Sequence, residues 1–190
     1  MSKTLQKKAG ARRPAARKPA AKPLPRFVPP MPAILGQPFD SDQHFFEFKW
    51  DGIRAQAIVE PSGVRLMSRN GIEISDRYPE LEGLSALPKG IVLDGELIAF
   101  RNGKADLETV LGTGKKRRTA AAVFVAFDIL FEGYSSIMDL PFAERRERLQ
   151  RAVANSRWKA SWANAFPART HREREMAHGS RSNDARYSRP

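Results

Sequence analysis

From Phe45 onward, apolar and polar positions alternate in short runs broken by turn residues, a β-rich pattern. Phe45, Phe46 and Phe48 lead into a turn at Asp51-Gly52. Ile53 to Val59 then alternates with Ile53, Ala55, Ala57 and Val59 on one side, which predicts a half-buried strand. Pro61-Ser62-Gly63 reads as a turn and Val64 to Ser68 as a second strand. Asn70-Gly71 is a two-residue hairpin signal, and Ile72 to Ile74 resumes the β pattern. Pro79 suits the first turn of a helix running to about Leu87, with Leu81, Leu84 and Leu87 on one face. Ile91 to Phe100 predicts a longer strand, Asn102-Gly103 a turn, and Ala105 to Leu111 a short helix ended by Gly112. Ala121 to Phe131 is the most apolar strand. From Pro141 a helix places Phe142, Leu149 and Val153 on one face, with Glu144 and Glu147 beside Arg145, Arg148 and Arg151 on the other.

The alternation stops near Val153. Residues 154–190 keep Trp158, Trp162 and Phe166 but show neither strand alternation nor an apolar helical stripe. The first 26 residues are a Lys/Arg/Ala/Pro mixture with nothing to bury, which predicts disorder. Charge divides the 190-residue chain in the same places. Of the net +12, residues 1–26 contribute nine basic side chains and no acidic one, and residues 27–151 are close to neutral. The expected organisation is therefore a basic tail or linker over 1–26, a folded domain over 27–153, and an atypical basic tail over 154–190 outside the fold. A basic tail of this kind is either an arm that binds nucleic-acid phosphates or a solvated linker, and composition leaves both open. Cysteine is absent, which excludes disulfide scaffolds and thiol chemistry. No run approaches the length of a membrane span, and no apolar block follows the basic N-terminus as a secretory signal requires, so a cytoplasmic location is expected.

Three polar clusters punctuate the strands: Glu47-Phe48-Lys49-Trp50-Asp51-Gly52-Ile53-Arg54, Ser68-Arg69-Asn70-Gly71 and Asp94-Gly95-Glu96. Each has a plain structural reading, as a surface lysine before a turn, a hairpin flank, or a bulge. Asp94 and Glu96 argue against that reading. They interrupt the apolar run IVLDGELIAF, where carboxylates are costly unless partnered or facing a cleft. Lys115 to Arg118 lacks the spacing of a phosphate loop and reads as a solvated basic loop. His44, His171 and His178 have no metal-ligand spacing, so no zinc site is expected.

Taken together and in this order, the clusters resemble the covalent nucleotidyltransferases, the superfamily of ATP-dependent DNA ligases, RNA ligases and capping enzymes. The signature Lys-x-Asp-Gly-x-Arg is present as Lys49 to Arg54. Ser68 to Gly71, Asp94 to Glu96 and Phe127-Asp128 are similar to the motifs that follow it. Phe27-Val28-Pro29-Pro30-Met31 and Leu140-Pro141 with Glu144-Arg145-Arg146 resemble the adenylation domain of bacterial end-joining DNA ligases. Pro32 departs from the leucine usual there.

The resemblance implies an α+β fold, with antiparallel sheets flanked by helices, of the nucleotidyltransferase (ATP-grasp-like) kind. It implies that Lys49 attacks ATP to give lysyl-AMP, that AMP passes to the 5′-phosphate of nicked or broken double-stranded DNA, and that the 3′-hydroxyl seals the nick in repair and recombination. Lysine suits the first step because its amine is a nucleophile once neutral. Arg54 and Glu96 would hold the ribose, Phe127 would stack on adenine, and Glu47 would line the nucleotide pocket. Arg69 would contact the 5′-phosphate, and Mg²⁺ would lie near Glu96. Other end-joining repair domains would be partners, and the nucleoid the setting. An RNA ligase or capping-type enzyme is the nearest alternative, and an inactive nucleic-acid-binding remnant is a second. Residues 154–190 hold no Glu-Gly or Lys-x-Lys pair and leave no room for a closing OB-fold domain. The resemblance therefore implies an incomplete chain with weak or no activity.

Overall fold

The structure is a computed structural model that describes residues 23–37, 39, 41, 44–112 and 120–154. Residues 1–22, the basic loop Lys115 to Arg118 and the stretch 155–190, with His171 and His178, lie outside the described residues.

One antiparallel sheet organises the rest. It comprises β1 (Ile53–Glu60), β2 (Gly63–Ser68), β3 (Ile91–Ile98), β6 (Val123–Glu132) and β7 (Ser135–Ser136), in the order β2-β1-β3-β6-β7. Between β3 and β6 the chain forms the small hairpin β4 (Phe100–Arg101) and β5 (Lys104–Ala105), then helix α1 (Leu107–Leu111). Asp106 caps α1 by accepting a hydrogen bond from the Thr109 N–H. Helix α2 (Phe142–Ala154) closes the described domain. Helices lie against one antiparallel sheet, so the expected α+β class holds. Among the described residues no helix is long and apolar enough to cross a membrane.

Because strand side chains alternate, each central strand presents two different faces. One face is apolar throughout. Ala55, Ala57 and Val59 of β1, Leu93 and Leu97 of β3, and Phe124, Ala126 and Ile129 of β6 form the main core. Leu81 and Leu84, Val110 of α1, and Leu149 and Ala152 of α2 cover it. The opposite face has apolar ends and a polar middle. Ile58, Met67, Val92 and Leu130 cluster at one end, and Ile98, Val123 and Val125 at the other. Between these ends lie Arg54, Gln56, Asp94, Glu96 and Asp128, joined by cross-strand pairings of Arg54 with Glu96, Gln56 with Asp94, and Asp94 with Asp128.

The register of β6 slips twice against β3. Asp94 pairs with Asp128 but Gly95 with Ala126, so Phe127 is the extra residue of a β-bulge; Leu130 is extra in a second one. Gly95 is required here, since a Cβ would lie 2.5 Å from the Val125 carbonyl and 2.7 Å from the Phe124 ring. At Gly52 a Cβ would strike the Leu97 carbonyl, so the turn before β1 runs directly against β3.

Four details differ from the sequence reading. The β-rich pattern expected from Phe45 begins later: Phe45 to Trp50 is irregular, and Phe45 and Phe48 are exposed. Ile72 to Ile74 makes only an isolated bridge, Met67 with Glu73. Pro79–Ala86 is 3₁₀ rather than α, although it buries Leu81 and Leu84 as expected. The fourth concerns the start of the fold. Leu24 falls within the expected tail over 1–26, yet it is buried against the Ile58–Met67 cluster with Phe27 and Val28 beside it. An apolar residue next to an open apolar patch is held there despite its basic neighbours.

Candidate functional site

The polar middle of the sheet opens into a cleft of about 510 Å³. Gly52, Ile53, Arg54 and Glu96 line it on the sheet side. Arg69, from the turn after β2, and the strap Pro30 to Ala33 form the rim. The strap is fastened by the buried Gln56, whose Oε1 accepts from Val28 N–H at 3.1 Å and whose Nε2 donates to Val28 O at 2.6 Å. These are the two hydrogen bonds a neighbouring strand would make, supplied by a side chain.

Arg54 and Glu96 are directly opposed across β1 and β3. The Arg54 guanidinium is gripped by the buried Asp94 through Nε to Oδ1 at 3.1 Å and Nη2 to Oδ2 at 2.8 Å. That fork keeps Arg54 charged, its pKa raised by the Asp94 hydrogen bonds despite partial burial. The same guanidinium lies over the Phe127 ring at 5.0 Å. Phe127 is only half-buried, which the bulge explains: it lifts the ring out of the regular alternation.

Glu96 has its pKa raised to about 7, because burial of the carboxylate outweighs the attraction of Arg54 and Lys49; Asp94 and Asp51 push in the same direction as burial. Lys49 is exposed, on the irregular segment that precedes the Asp51-Gly52 turn, and its charge is felt at Glu96. Arg69 is also exposed. Glu47 meets Arg146 of α2, Oε1 to Nη1 at 3.2 Å. Burial raises the Glu47 pKa, Arg146 opposes the rise, and Asp128 adds to it.

The structure thus brings Arg54, Glu96 and Arg69 to one cleft, with Lys49 near Glu96 and Phe127 beneath Arg54. Glu47 is not among the residues lining that cleft; it is tied to the same region through Arg146, which also donates to the Phe127 carbonyl at 2.8 Å. The sequence reading missed Arg145 and Arg146. The helix pattern places Arg145 on the charged face and gives Arg146 no role, yet Arg145 grips Asp128 with two hydrogen bonds of 2.9 Å and Arg146 is buried. One signal was available. Asp128 lies in an apolar strand and needs a cationic partner, as Asp94 does.

The donor set can be tested against a divalent cation. Among the described residues no group of three or more His, Asp or Glu gathers to enclose a metal ion. Mg²⁺ asks for less, binding through one or two carboxylates together with substrate phosphates, and Glu96 supplies one carboxylate lining the cleft. The residues fit that mode.

A family model described as ATP dependent DNA ligase domain matches residues 30–177. The SPbeta prophage-derived DNA ligase-like protein LigB of Bacillus subtilis is 33% identical over 123 residues, 63% of this chain and 45% of that protein. The multifunctional non-homologous end joining protein LigD of Pseudomonas aeruginosa is 32% identical over 131 residues, 67% of this chain and 16% of that protein. The crystal structure of the ligase domain of M. tuberculosis LigD aligns with a TM-score of 0.49 at 26% identity, covering 58% of this chain and 37% of that one. The chain spans less than half the length of each of these proteins.

Proposed function

This chain belongs to the ATP dependent DNA ligase domain family, and from that premise we propose that its cleft is an adenylation site in which Lys49 takes AMP from ATP for transfer to a DNA 5′-phosphate. The observation that carries the reading is the opposition of Arg54 and Glu96 across β1 and β3, in a cleft whose rim holds Arg69 and beside which Lys49 stands.

In the first step the neutral amine of Lys49 attacks the α-phosphorus. A P–N bond forms as the bond to pyrophosphate breaks, leaving lysyl-AMP. The lysine must give up a proton to do so, and its exposure lets solvent accept it. Arg54, fixed by Asp94, offers its remaining donors to the ribose, and Glu96 accepts from a ribose hydroxyl from across the strand pair. The exposed face of Phe127 provides a stacking surface for the base. Mg²⁺ held by Glu96 and the phosphates would supply charge neutralisation for the leaving pyrophosphate. Arg69, at the rim, is placed to meet the incoming 5′-phosphate with a planar fork. In the second step a 5′-phosphate oxygen displaces the lysine and takes AMP, and the 3′-hydroxyl then attacks to expel AMP and close the nick.

The test is retention of label. The full chain is incubated with ATP labelled at the α-phosphate and with Mg²⁺, then denatured. Protein-bound AMP that is released by acid, survives alkali and is lost in Lys49→Ala supports the reading. Label that persists in Lys49→Ala, or no label in the unaltered chain, overturns it.

A further inference from the structure

Two adjacent arginines of α2 hold the two residues of the first bulge in β6. Arg145 forks onto the Asp128 carboxylate, Nε to Oδ1 and Nη2 to Oδ2, both at 2.9 Å, and Arg146 Nη1 donates to the Phe127 carbonyl at 2.8 Å. The third Arg145 nitrogen donates to the Leu140 carbonyl at 2.6 Å, and Asp128 Oδ1 also accepts from the Ile129 N–H at 2.8 Å. Seating α2 does not depend on this fork. Leu149 and Ala152 bury the helix on the core, and Arg148 ties it to Glu132 at 2.7 Å. What the Arg145 fork acts on is the bulge, and register shows what it opposes. Gly95 pairs with Ala126, so an unbroken ladder would set Phe127 opposite Asp94 and Asp128 opposite Leu93, on the face of the apolar core. The bulge instead brings Asp128 opposite Asp94 and leaves Phe127 as the extra residue, its ring 5.0 Å from the Arg54 guanidinium that lines the cleft. In that place Asp128 faces a like charge, and Arg145 supplies the cation that offsets it.

We propose that Arg145 is a positioning residue: by holding Asp128 in the bulge, it sets the Phe127 ring against Arg54 as the surface on which the base of the nucleotide stacks. This rests on reading the cleft as an ATP site. Without the fork, Asp94 repels Asp128, the bulge loosens, and the neighbouring ring loses its fixed place. Arg54 keeps its own fork to Asp94, so its contacts to the ribose persist while the stack fails. The loss therefore falls on the base, through Phe127, and on nothing else in the cleft.

The experiment is equilibrium binding of α,β-methylene-ATP, which cannot lose pyrophosphate to Lys49, with Mg²⁺, to the full chain and to Arg145→Leu, Phe127→Ala and the two combined. Arg145→Leu and Phe127→Ala should each weaken binding by about 5- to 100-fold, the scale of one base–aromatic stack. The combined variant should bind no more weakly than either alone, because both changes remove the same stack. A merely structural role gives losses that multiply, and that result overturns the proposal, as does unchanged binding in Arg145→Leu. Should Arg145→Leu not fold because Asp128 is left unmatched, Arg145→Leu with Asp128→Leu removes both charges and decides. Its loss should vanish in the Phe127→Ala background, and a loss that persists there, or no loss at all, overturns the proposal. Phe127→Ala that binds as tightly as the unaltered chain also overturns it and leaves the Lys49 reading standing, whereas an unaltered chain that binds no nucleotide overturns both.

Discussion

Asp94 and Asp128 face each other across β3 and β6, two carboxylates directly paired in the middle of a sheet, each held by an arginine from a different element. Like charges in such a pair repel, and Asp94 is buried while Asp128 keeps only partial access to water. Arg54 of β1 forks onto Asp94, and Arg145 of α2 forks onto Asp128. The pairing thus draws β1 and α2 toward the same point from two sides, and Arg54, held there, lines the cleft.

Asp94→Asn should release Arg54 more than it relieves Asp128. Asp94 is 3% exposed while the Arg54 side chain keeps partial access to water, so the loss falls short of that for a fully buried pair. A destabilisation of about 1 to 3 kcal/mol is expected by denaturant titration, together with loss of lysyl-AMP formation. Unchanged stability would mean that the fork contributes no net energy.

Glu96 should make the nucleotide-free protein less stable as pH rises. Its folded pKa of about 7 lies above the ordinary 4.5, so between those values the native state binds more protons than the unfolded chain. Stability is therefore fully present below about pH 4.5, declines through the window, and is lost above about 7. Glu96→Gln cannot ionise. Its melting temperature should match the unaltered chain at pH 4 and exceed it at pH 8, and parallel pH profiles for the two would refute the assignment.

Gly95→Ala should cost about 1 to 3 kcal/mol, because the new methyl group meets the Val125 carbonyl at 2.5 Å and the Phe124 ring at 2.7 Å in the tightest part of the sheet. The strand must shift at the point where the bulge sets Phe127. Lysyl-AMP formation should therefore fall more than the thermal melt alone accounts for. A melt and an activity that both match the unaltered chain would show that the strands separate at no cost.

Two N-terminal deletions should behave differently. Removing residues 1–22 takes away eight Lys and Arg and no acid, so nonspecific DNA binding should weaken and its salt dependence flatten, with the melt unchanged. Extending the deletion through Arg26 also removes the buried Leu24, and about 2 to 4 kcal/mol of stability should go with it. An unchanged salt slope for the shorter deletion identifies the segment as a linker.

The four long strands were legible because alternation survives wherever one face is buried, as in Ala55, Ala57 and Val59. Arg54, Asp94 and Glu96 could be recognised because a charge inside an apolar strand requires a reason. The role of Arg145 could not be recognised from its own run: local periodicity puts it on the charged face with Glu144, Glu147, Arg148 and Arg151, whereas Asp128, the partner it grips, lies far off in sequence. Arg146 falls on the face of Phe142 and Leu149, but its partner Glu47 is equally remote. The bulge at Phe127 was equally hidden, since it is a property of register between two strands and leaves no trace in one.

The Gln56 clasp on Val28 has a consequence for tethering. Residues 24 to 28 are pinned to the sheet, and Pro30 to Ala33 continue directly into the cleft rim. A module attached ahead of residue 23 is therefore moored on the sheet face that carries the cleft. Within a given leash length, such a module searches a volume that includes the cleft, and its effective concentration there is set by the length and stiffness of the leash. A module joined at the opposite face would have to reach around the domain first, and the same leash would deliver it far less often.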